Sequence, residues 1–158
     1  MVNRIFPKQL DNQYRGNKIA IWLLALLTLM NTGISCVAIF KPDGGAQSAD
    51  GIPLDTYAPA AAHAVIGVVA FLGLADLLLC VLIIIALIRY RAMIPLMYVV
   101  IVLNWLAHKG IGLMKPIART GTSSGHYLTW SLFALSVIGL ILAVTGKNYS
   151  QTRDSDAA

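Results

Sequence analysis

Residues 64–88 read AVIGVVAFLGLADLLLCVLIIIALI, 25 positions with one charged residue, Asp76, near the middle. At about 1.5 Å of rise per residue, a helix of this length crosses the roughly 30 Å hydrocarbon core of a bilayer. Three further stretches, 19–40, 93–114 and 127–145, are also long and apolar enough to cross. The whole chain of 158 residues is 58% hydrophobic with a mean hydropathy of +0.73. That is too apolar for a soluble domain of this size. The expected fold is all-α: a four-helix transmembrane bundle in up-down order. Its helices run over about 19–40, 57–89, 93–114 and 126–145 within a domain spanning 19–146. A basic arm, 1–18, precedes it and a polar tail, 147–158, follows.

The charged flanks orient the bundle. Arg4, Lys8, Arg15, Lys18, Arg89, Arg91, Lys147 and Arg153 fall on one side, and Lys41, Lys109, Lys115 and Arg119 on the other. Eight basic residues against four place both termini in the cytoplasm by the positive-inside rule. The net charge of +5 therefore reads as membrane topology, and nucleic acid is not expected as a partner. The first apolar run is too long for a signal-peptide core and has no small-x-small cleavage site, so it reads as a retained helix. Gly33 stands where a lipidation site at Cys36 would want a branched apolar residue. Cys36 and Cys80 are expected to stay unbridged, because their depths should differ by roughly 15–20 Å.

Between the spans the chain is short and rich in turn residues. The connection 41–60 is acidic through Asp43, Asp50 and Asp55 and carries Gly44-Gly45 and Asp50-Gly51. Asp55 or Thr56 is expected to cap the second helix, with Pro59 in its first turn and Pro95 likewise opening the third. The tight Arg89-Tyr90-Arg91 turn makes helices two and three antiparallel neighbours. In the arm, Ile5, Phe6 and Leu10 can lie on a headgroup surface while Arg4, Lys8 and Arg15 face lipid phosphate.

Two segments, FPKQLDNQYRGNKIAIWLLALL at 6–27 and GIPLDTY at 51–57, resemble small four-helix bacterial inner-membrane proteins of uncharacterised function. The resemblance covers these segments alone. It implies a bacterial inner membrane and carries over no activity and no site residue.

Two polar constellations bear on function. The first is a layer at mid-span: Asp76, Asn104, Asn31, Thr32 and Ser136. A carboxylate at that depth costs at least about 2.5–3.5 kcal/mol, so it should face the interior and find a partner. Val69, Gly73, Asp76 and Cys80 share one helix face, on which Gly73 and Cys80 are small enough for another helix to come close. The layer reads either as a proton or cation site, or as a hydrogen-bonded clasp with Asp76 protonated. The second constellation lies on the outer half: His63, His108, Lys109 and His126. Two of these histidines could ligate haem and three could hold a metal, but no spacing motif supports either, and no cofactor is expected. Lys109 can snorkel outward. Lys109, Lys115 and Arg119 make one outer rim basic against the acidic 41–60 loop, which reads as ion pairing between loops or as a mouth for an anionic ligand.

No phosphate-cradling glycine loop, zinc-protease motif, paired-cysteine motif or serine-nucleophile elbow is present, and the chain has no Glu. The sequence points to a non-enzymatic inner-membrane subunit or interaction protein. Its expected partners are the lipid bilayer and another membrane protein or a second copy. Proton- or cation-coupled transport through Asp76 is the second reading, and a haem- or metal-binding redox bundle is the third.

Overall fold

A computed structural model describes residues 5, 12, 14, 16–120 and 124–145, with the backbone alone for Ser124 and His126. The headgroup reading of the arm, the tail and the His126 side chain lie outside the described residues. Four long helices make up the described chain: α1 (Lys18–Phe40), α2 (Pro59–Arg89), α3 (Ile94–Met114) and α4 (Ser124–Thr145). Two single 3-10 turns, Leu54–Thr56 and Arg91–Met93, precede α2 and α3. All four helices are long and apolar enough to cross a membrane. Their outward faces carry large apolar side chains, with Phe71 74% and Leu113 86% exposed. A water-soluble bundle hides such faces; a bilayer-spanning one presents them to lipid.

Local chemistry sets the ends. Asn17 caps α1, its Oδ1 accepting from Ile19 N at 3.0 Å. The expected Asp55 or Thr56 cap of α2 is corrected: both sit in the preceding 3-10 turn. Ala58 is the cap residue, without a side-chain bond, and Pro59 opens the helix. Thr56 instead turns its hydroxyl back to Pro53 O at 2.8 Å. Proline at the first position needs no amide partner, so α2 starts without a polar cap. Pro95 sits in the first turn of α3 in the same way.

α1 packs chiefly on α2 and also on α4, which in turn packs on α3; α2 and α3 touch less, despite their tight turn. The reason is the small face of α2. A Cβ at Gly73 would lie 2.6 Å from Ala38 Cβ and 3.2 Å from Ser35 O, so the close approach that Gly73 permits goes to α1. The same register sets Cys80 beside Thr32, four residues from Cys36, so the two cysteines differ in depth by only about 6 Å. Both thiols are free, yet the expected depth gap is corrected: α2 begins well before the level where α1 ends.

The main core gathers Leu24, Leu27, Ile83, Ile94, Tyr98 and Leu132. Tyr98 is wholly buried and donates its phenol to Ala20 O at 2.8 Å, tying α3 to α1. Gly139 of α4 lies against the Tyr98 ring so closely that any Cβ there would overlap it. A second small core, Ala46, Ile52 and Leu54, lies in the 41–58 connection and packs on Tyr57, Val65 and Val69. That connection is a folded cap. Asp43 accepts from Gly45 N at 3.1 Å and Ser48 N at 2.9 Å, and Gly44, Gly45 and Gly51 take positive φ. The Ser48 hydroxyl first, then the Ser48 and Gly45 amides and Lys41, hold the Asp43 carboxyl well below the usual carboxylate range.

Candidate functional site

The polar layer converges between three helices. Asn104 Nδ2, at the middle of α3, donates to Asp76 Oδ1 of α2 at 3.3 Å. Asp76 and Asn104 are each half-buried. They line a cavity of about 20 Å³ together with Thr28 and Asn31 of α1 and Cys80 of α2, and Trp105 supplies an apolar wall. That volume holds one water molecule or one small dehydrated ion. Asn31 Nδ2 donates to Leu27 O at 2.8 Å and Thr28 Oγ1 to Leu24 O at 2.7 Å, so both polar side chains of α1 spend a donor on their own helix. Each amide keeps a second N–H and its oxygen for the cavity, and Leu79, Ile83 and Ile101 complete the apolar wall.

Not every polar residue of the layer joins it. Thr32 donates to Thr28 O at 2.8 Å and is not part of the cavity wall. Ser136 is fully buried but donates to Phe133 O within α4 at 2.7 Å and also stays outside. Thr28 and Trp105 were not singled out from sequence. Thr28 was legible in principle, lying three residues before Asn31 on the same helix face.

The outer constellation does not assemble in the same way. His63 and His108 are exposed. His108 Nδ1–H donates to Asn104 O one turn below, at 3.0 Å, which joins it to the backbone of the polar pair but not to the cavity. Among the described residues no three His, Cys or Asp side chains gather as metal ligands. Lys109 does not simply reach outward: its Nζ stands 4.9 Å over the Trp130 ring of α4. The two connections at this end do meet, but through backbone. Thr120 N donates to Gly51 O at 2.8 Å and Gly125 N to Ala49 O at 3.2 Å. The expected ion pairing between loops is corrected: the ion pair among the described residues, Lys41–Asp43 at 3.7 Å, lies within one loop. Lys115 and Arg119 are exposed, and exposed charges gain little from pairing.

No protein family, curated protein or solved structure matches the chain.

Proposed function

We propose that the chain is a four-span protein of the bacterial inner membrane, with up-down helices and both termini cytoplasmic, acting as a non-enzymatic subunit or interaction protein. The observation that carries this reading is the half-buried Asp76–Asn104 pair, which bridges α2 and α3 where the two helices otherwise touch little. Hydrogen-bonding groups left accessible in hydrocarbon are costly alone and act as glue between helices. The partner is a helix bearing a polar side chain, from another membrane protein or from a second copy. Trp22, exposed near the start of α1, and Tyr127 and Trp130, exposed near the start of α4, suit the two headgroup levels of such a span. Purification in mild detergent tests the reading. Wild type should carry a stoichiometric partner or run as an oligomer, and Asp76→Leu should lose it. A lone, unaccompanied monomer ends this reading.

A second reading, proton- or cation-coupled transport through Asp76, draws support from the cavity at the carboxylate. Proteoliposome flux in wild type and absent in Asp76→Asn is its signature; equal flux in both rejects it.

A further inference from the structure

The cavity beside Asp76 includes side-chain oxygens that accept no hydrogen bond from the described residues. Asn104 turns its amide N–H toward Asp76 Oδ1, Asn31 turns its own to Leu27 O, and Thr28 turns its hydroxyl to Leu24 O. Asp76 Oδ2 and the Asn31 and Asn104 side-chain oxygens have no hydrogen-bond donor among the described residues. They are not sealed in protein either: the buried side-chain polar atom without a partner among the described residues is the Tyr14 phenol, elsewhere. The free oxygens therefore border open space. A small space that brings a carboxylate and two amide oxygens together, with Leu79, Ile83, Ile101 and Trp105 completing its wall, favours a cation over an anion.

The charge count selects which cation. Asp76 is the sole carboxylate lining the cavity, and no Lys, Arg or His lines it. Cys80 of α2 is the other titratable group there; α1 and α3 bring no charged side chain to it and α4 lines none of it. A divalent ion would leave one positive charge uncompensated among apolar helices, whereas a monovalent ion neutralises the carboxylate. An oxygen-dominated set with one thiol does not suit a soft metal. The volume of about 20 Å³ admits one ion stripped of most of its water.

We propose that this cavity is a Na⁺ site in which the ion takes the place of the proton on Asp76, held by oxygens of Asp76, Asn104, Asn31 and Thr28. The exchange balances as R–COOH + Na⁺ → R–COO⁻·Na⁺ + H⁺, the proton leaving to water. The inference rests on the transport reading and deepens it. Binding is measured apart from flux, so binding without flux keeps the site and ends the transport reading.

The test uses the full chain in detergent and a hydrophobic carbodiimide, which modifies protonated carboxyls. Peptide mass mapping should find the adduct on Asp76. At NaCl tenfold above its dissociation constant, competition should slow labelling about elevenfold relative to choline chloride at equal ionic strength. Independently, NaCl should raise the Tm of wild type over choline chloride and leave Asp76→Asn unmoved. Should Asp76 resist the reagent at every pH, the Tm comparison decides alone. Equal labelling and equal Tm in the two salts overturn the proposal, as does protection by MgCl₂ without protection by NaCl.

Discussion

Asp76 and Tyr98 each join two helices through a side-chain polar atom. Asn104 donates to Asp76 at 3.3 Å, and an amide in place of the carboxyl can still accept that bond. Asp76→Asn is therefore expected to keep the fold, while Asp76→Leu strands Asn104 and costs about 1–2 kcal/mol. Thermal unfolding of both variants in one detergent checks the pair; equal Tm values would mean the bond contributes nothing. Tyr98 differs because its ring is fully packed and its hydroxyl reaches Ala20 O at 2.8 Å. Tyr98→Phe keeps the ring against Gly139 and removes the phenol, with an expected loss of about 1 kcal/mol read from the same unfolding curve. A Tm equal to wild type would show that the α3–α1 tie rests on packing of the ring.

At the scale of elements, the α1–α2 contact depends on the absence of a side chain. Gly73 sits where a Cβ would press on Ala38 at 2.6 Å, so Gly73→Leu must push the helices apart. Overpacking of this kind costs about 1–3 kcal/mol, and the shift should also open the Asp76 cavity, which α1 helps to wall. The measurement is Tm together with cysteine accessibility: buried Cys80 should become reactive to a small maleimide in Gly73→Leu and not in wild type. The folded cap over 41–58 makes a different prediction. The Asp43 carboxyl is held below its ordinary range by the Ser48 hydroxyl, then the Ser48 and Gly45 amides and Lys41. A carboxyl depressed in the fold stabilises fully above its unfolded value near 4, and that contribution is lost as pH falls through the depressed folded value. The cap's Asp43-dependent stability should therefore decline below about pH 4. Carboxyl NMR of Asp43 should show titration below the ordinary aspartate range, and Asp43→Asn should remove that acid dependence.

For the whole molecule, the side each connection faces follows from the charged flanks. Eight basic residues flank one end of the spans and four the other, and backbone bonds bring the 41–58 connection against Thr120 and the first turn of α4. The expected outcome is that reporters fused after Ala158 are active in the cytoplasm and reporters inserted within 41–58 are active outside it. The reverse pattern would invert the topology and place Asp43 and its cap in the cytoplasm. With the basic ends inside, Lys109, Lys115 and Arg119 fall on the outer rim, where the Trp130 ring under Lys109 helps hold that cation at the interface.

Sequence alone determined the number and approximate bounds of the four apolar helices and the placing of Asp76, Asn104 and Asn31 at mid-span. Both follow from hydropathy summed over a bilayer's thickness, a property read along the chain one residue at a time. It also marked the small face of α2, because helical spacing sets Gly73, Asp76 and Cys80 in one line. Tertiary structure decided what that face meets. Gly73 fits Ala38 and Ser35 of α1, so α2 packs more closely on α1 than on α3, and a cavity is left where Asp76, Asn104, Asn31 and Thr28 come together. It also decided that Thr32 bonds within α1 and Ser136 within α4, so that both stay out of that cavity. Which faces turn toward each other depends on rotation and register about each helix axis, and these are set by packing between residues far apart in the chain.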